Sequence, residues 1–103
     1  MKYLITESQL DKFIFKYIDL KRFIRIEGDG NIYFVNSDDD EFAQIKYKSN
    51  GRCCIDTKLV KEISSFFSLN RYDSQEVIGK WVENTLQMKV TDTQLGGVFF
   101  GSS

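Results

Sequence analysis

The stretch Phe42 to Ile55, FAQIKYKSNGRCCI, decides the fold class. Ala43, Ile45 and Tyr47 alternate with Gln44, Lys46 and Lys48, the period of two that marks a half-buried strand. Asn50-Gly51 is the strongest short hairpin signal in the chain. Arg52 to Ile55 then returns as a second strand. A two-residue loop at Asn50-Gly51 would pair Tyr47 with Cys54 and Lys46 with Ile55. That pairing puts Cys53 on the side of the lysines.

Moving toward the N-terminus, Asn36 to Glu41, NSDDDE, reads as an acidic loop, and Ile32 to Val35, IYFV, as a dense central strand. Gly28-Asp29-Gly30-Asn31 is a turn with two residues suited to positive φ. Before it, Arg22 to Glu27, RFIRIE, turns Ile24 and Ile26 one way and Arg25 and Glu27 the other. Four strands joined by short connections predict an antiparallel meander.

The flanks read as helices. Asp56 can cap a helix with Ile55 and Val60 stapling its entrance. Leu59, Val60, Ile63, Phe66 and Phe67 form its apolar face, and it ends near Asn70. Tyr72 to Met88, YDSQEVIGKWVENTLQM, follows. Asp73 and Glu76 fit a capping box, and Tyr72 and Val77 a hydrophobic staple. Val77, Ile78, Trp81, Val82, Thr85, Leu86 and Met88 share one apolar arc. Trp81 is expected as a core anchor. Gly79, at the edge of the arc, leaves room for another segment to come close.

At the other end, Thr6 and Gln9 fit a second capping box, with Ile5 and Leu10 as its staple. Leu10, Phe13, Ile14, Tyr17 and Ile18 make the stripe. Phe15 lies off it, exposed, and is a candidate partner contact. The expected fold is a single α+β domain over 1–103: a four-stranded antiparallel meander with helices packed on one face, in the order α-β-β-β-β-α-α. The other face would show Arg25, Glu27, Gln44, Lys46 and Lys48, with Tyr33 and Cys53 as further members. Which face the helices cover is left open, because both carry apolar residues. Residues 89–103 form a tail, read as an edge strand or a segment docked on a partner. Its Val98-Phe99-Phe100 is too apolar to rest in water.

Composition narrows the chemistry. Among 103 residues there is no histidine, which removes the commonest acid/base at neutral pH and the triads that depend on it. Net charge is −1 and the isoelectric point about 5.4, so no global charge steers the chain to nucleic acid or membrane. Adjacent Cys53 and Cys54 read as reduced thiols of a cytoplasmic protein. No signal peptide or membrane-spanning run is apparent. No nucleotide-binding or hydrolase motif appears, so the expectation is no enzyme, no cofactor and no small-molecule substrate.

Two constellations support alternatives. Arg25, Lys46, Lys48 and Arg52 with Tyr33 could form a basic-aromatic sheet face for single-stranded nucleic acid. Asp38-Asp39-Asp40-Glu41 could serve a metal-dependent enzyme, since hard cations want carboxylate oxygens. It lacks the EF-hand spacing, and no metal ligand is assigned.

The opening Met1 to Gln9, MKYLITESQ, and Ile78 to Asn84, IGKWVEN, resemble segments of small uncharacterised proteins of tailed bacteriophages, marine ones in particular. The resemblance implies a phage or environmental origin and a bacterial host cytoplasm. It implies no activity and no functional residue. The leading expectation is a small non-enzymatic accessory protein that binds another protein or itself. Its candidate contacts are Phe15, Val98, Phe99 and Phe100.

Overall fold

Five strands form the sheet, not four, and they are not all antiparallel. The computed structural model describes residues 7–28, 30–35 and 43–96. In chain order these give α1 (Glu7–Asp19), β1 (Ile24–Gly28), β2 (Asn31–Val35), β3 (Ala43–Tyr47), β4 (Arg52–Ile55), α2 (Thr57–Phe67), α3 (Arg71–Leu86) and β5 (Asp92–Leu95). The sheet order is β1-β2-β3-β4-β5. The first four strands make the expected antiparallel meander. β5 pairs parallel to β4, because two helices intervene and carry the chain back to its starting end. The Thr6 cap, the acidic run Asp38 to Glu41 and the Val98-Phe99-Phe100 segment all lie outside the described residues.

The β3–β4 hairpin is shifted by one residue from the expected register. Tyr47 pairs with Cys53, Lys46 with Cys54 and Ile45 with Ile55. The loop has three residues, Ser49-Asn50-Gly51, rather than two. Lys48 and Arg52 close it: the Lys48 N–H donates to the Arg52 carbonyl at 2.8 Å, and the Gly51 N–H to the Lys48 carbonyl at 2.9 Å. Gly51, at φ 91°, supplies the left-handed residue that such loops need. A one-residue slip exchanges the faces of a whole strand. Cys53 therefore enters the core, fully buried, and Cys54 takes the opposite face.

The register also settles which face the helices cover. Ile32, Phe34, Ile45, Tyr47, Cys53 and Ile55 pack with α1, α2 and α3 in the main core. Tyr33, Val35, Ala43, Ile26 and Cys54 cluster on the opposite face. Ala43 was expected beside Ile45 and Tyr47. A bulge between Phe34 and Val35 pairs Val35 with Ala43 and carries Ala43 across. Arg25 and Glu27, expected beside Lys46, stand opposite Phe34 and Ile32 and so belong to the helix side of the sheet. Both are exposed there.

Each helix is held by particular contacts. α1 buries Ile14 and Ile18, and its Asp19 accepts a bond from the Trp81 indole N–H at 2.9 Å. Trp81 is 5% exposed and meets Phe34 and Phe23 edge-on, so it anchors the core as expected. Asp56 caps α2 as read. α3 starts earlier than expected: Asn70, not Asp73, is its cap, and the Asp73 N–H donates to the Asn70 side chain at 2.8 Å. The staple fails with it, for Tyr72 is 81% exposed. Thr85, in the last turn of α3, is exposed, and Met88 is exposed because α3 ends at Leu86 with Gln87 in the left-handed region. Ser74 is buried and joins α3 to α2 through the Ser64 hydroxyl at 2.8 Å. Gly79 does admit a neighbour: a Cβ there would lie 2.8 Å from Thr93 Cγ2 on β5.

Candidate functional site

The basic-aromatic sheet face assembles in part. Tyr33, Lys46 and Cys54 fall in one row across β2, β3 and β4. Lys48 and Arg52 continue that face by alternation, while Arg25 does not belong to it. Two features work against base stacking. Tyr33 is only 6% exposed, and the Lys46 ammonium sits 5.6 Å from its ring centroid. The cation thus covers the π-face that a base would need. Arg52 is engaged with the Asp92 carboxylate at 3.7 Å.

Phe15 is half-buried against the main core and lines a shallow groove with Asp11, Lys80 and Met88. It faces α3 rather than solvent. The exposed phenylalanine of α1 is Phe13, at 60%, a residue that the stripe reading assigned to the core.

Phe13 stands one helical turn before Tyr17, on the flank of α1 where Tyr17 meets α2. Tyr17 of α1 stacks on Phe66 of α2 at 4.7 Å between centroids and meets Phe67 edge-on at 5.5 Å. Phe66 and Phe67 are themselves 4.9 Å apart. Phe66 remains 65% exposed and Leu20 of the same α1 flank 69%. The helix dictates this. The apolar arc of Leu10, Phe13, Ile14, Tyr17 and Ile18 is broad, and α1 buries its Ile14 and Ile18 side while the Phe13 margin stays wet. Phe66 sits at the corresponding margin of α2. The excess width of both stripes was the available signal.

A polar clasp fixes the two helices beneath these rings. The Tyr17 hydroxyl donates to the Glu62 carboxylate, and the Lys21 ammonium pairs with the same carboxylate. Lys21 also lies 5.5 Å from the Tyr17 ring centroid. The bond to Glu62, with burial and the Glu62 charge, pushes the Tyr17 phenol up to about 12. Burial pushes Glu62 upward, but the bonds from Lys21 and Tyr17 and the Lys21 charge outweigh it and hold the carboxyl below its ordinary value. Around the clasp, Lys12, Lys16, Lys58 and Lys61 are exposed. Among the described residues, the ion pairs engage other cations, namely Lys21, Arg25, Arg52 and Lys80.

Cys53 is fully buried, and burial, with a smaller effect from Cys54, pushes its thiol up to about 12. It is therefore a packing residue, not a nucleophile. Among the described residues no group of three or more cysteines or carboxylates is placed to hold a metal ion, and no helix is long and apolar enough to cross a membrane. No protein-family model, curated protein or solved structure matches the chain.

Proposed function

We propose that this is a non-enzymatic accessory protein that works by binding another protein, through the aromatic surface between α1 and α2. In keeping with the phage-protein resemblance of its opening, it would act in the cytoplasm of a bacterial host. The observation that carries the reading is the exposure of Phe13 and Phe66, at 60% and 65%, on helices joined by the Tyr17–Glu62–Lys21 clasp. Rigid aromatics at the centre of a surface supply contact area at little entropic cost. The lysines around them select the partner's chemistry. An acidic segment with apolar side chains would bury the rings and meet Lys12, Lys16, Lys58 and Lys61 at its rim. Phe15, half-buried in the groove beside α3, lies apart from this surface.

The test uses immobilised wild-type protein beside a Phe13→Ser, Phe66→Ser variant and a Lys12→Glu, Lys16→Glu variant, each first shown to melt like the wild type. A bacterial protein held by the wild type is then purified and its binding remeasured. The expected result is loss with the phenylalanine variant, weakening with the lysine variant, and weaker binding at high salt. Equal binding by all three chains overturns the reading.

A further inference from the structure

β1 is an edge strand with a particular sequence. Among the described residues it pairs only with β2. Its side chains are open: Ile24 is 48% exposed, and the Arg25 and Glu27 side chains are 47% and 64% exposed. An edge whose backbone donors and acceptors have no partner among the described residues, beside an exposed isoleucine, is what folded proteins normally blunt with charged side chains, a proline or a bulge. Proline and a register shift are absent between Ile24 and Gly28, and the strand's two charges, Arg25 and Glu27, are of opposite sign, so they repel a strand of one charge but not a second copy of this one.

The backbone phase favours pairing. Gly28 and Asn31 are partners across the β1–β2 turn. A pair that closes a two-residue hairpin exchanges both of its hydrogen bonds. By alternation Ile26 and Ile24 also bond to β2, and the N–H and C=O of Arg25 and Glu27 point to the free edge.

The charges are self-complementary about Ile26. Arg25 and Glu27 flank it on one face, and within the strand their side chains meet at 3.1 Å. If a second copy of β1 is laid antiparallel with Ile26 against Ile26, Arg25 stands opposite Glu27 of the other copy, and the reverse pair forms by symmetry. Both pairs fall at the positions where the backbone bonds would form. On the other face Ile26 meets Ile26 beside the Tyr33, Val35 and Ala43 cluster, which would then run on across the junction. An interface of this kind is isologous, the form that two-fold dimers need. β5, the opposite edge, offers no such match. Its one charge, Asp92, already engages Arg52.

We infer that β1 is a self-association edge, and that two copies of the chain join antiparallel through it, centred on Ile26, into one continuous sheet. The site is separate from the α1–α2 surface, and the partner is a second copy of this chain.

The test is sedimentation of the full chain over a range of concentrations. The wild type is expected to pass from monomer to dimer. Arg25→Glu places Glu against Glu27, and Glu27→Arg places Arg against Arg25. Each should weaken dimerisation about tenfold or more, because like charges then face each other twice. The double variant Arg25→Glu, Glu27→Arg restores opposite charges and should restore the dimer. Phe66→Ser should leave it intact. A wild type that stays monomeric at its highest soluble concentration overturns the inference. So does a dimer that survives both charge reversals, or one lost only with Phe66→Ser. Amide exchange in the wild type keeps the test independent of variant folding. The Arg25 and Glu27 amides should slow as concentration rises, and exchange indifferent to concentration contradicts the pairing.

Discussion

Two surfaces combine aromatic rings with lysines, and they differ in which component is buried. On the sheet face away from the helices the ring of Tyr33 is sunk among Ile26, Val35, Ala43 and Cys54, with Lys46 lying over it. Between α1 and α2, Phe13 and Phe66 stand in water and the lysines lie around them. The same residue types thus serve the fold in one place and remain free in the other. A basic-aromatic pattern identifies a binding platform only when the ring is exposed. On a strand, neighbours in adjacent rows close over a ring. At the margin of a helix nothing does.

The largest expected effect separates the two surfaces directly. Tyr33→Ala should cost about 3 kcal/mol in denaturant melts, as truncation of a buried aromatic does. Phe66→Ala, at a mostly exposed ring, should stay within about 1 kcal/mol. Equal losses would merge the two surfaces into one kind.

The paired cysteines sharpen the contrast between the faces of the sheet. Cys53→Ser places a hydroxyl in the helix-covered core and should cost about 2 kcal/mol, whereas Cys54→Ser, at a half-buried thiol on the opposite face, should cost roughly 0.5 kcal/mol. A reversed order would restore the register of a two-residue hairpin loop. Thiol labelling of the native protein gives the same information: Cys54 should react and Cys53 should wait for unfolding.

The smallest effect concerns the clasp under the exposed rings. Glu62 titrates below its ordinary value in the folded chain, so its contribution is present above that value and is lost as pH falls through the folded one. Tyr17 is raised to about 12, so its contribution is present below about pH 10 and is lost as pH climbs through the folded value. Melts of the wild type should therefore weaken more than those of Glu62→Gln as pH falls from the ordinary carboxylate range through the lowered folded value. The difference is small, roughly 0.5 kcal/mol, because the carboxylate is partly solvated. Parallel profiles would remove the clasp from the account.

Much of the fold is legible in the sequence because its signals are local. Alternation over Phe42 to Tyr47 gives β3, Asp56 gives the start of α2, and the arc around Trp81 gives α3 and its anchor. The missed features depend on partners distant in the chain. Asn50-Gly51 suits a two-residue loop, yet the register follows from burying Tyr47, Cys53 and Ile55 together beneath the helices. The tail read as an edge strand or a docked segment does supply an edge strand, β5, DTQL, and what local signals did not give is its parallel pairing with β4 across two helices. The cap at Asn70 competes with Asp73, and Leu69, packed on the core, decides where the chain turns. The exposed surface was hidden for a related reason. Periodicity places Phe13 and Phe66 on apolar stripes, but only the width of the neighbouring element decides whether a stripe is fully covered.

Hydroxyl-radical footprinting of the native chain, read residue by residue, tests the central contrast most directly. The account predicts rapid oxidation of Phe13 and Phe66 and slow oxidation of Tyr33 and Trp81. Slow Phe66 beside rapid Tyr33 would contradict it, and would return the sheet face as the binding surface.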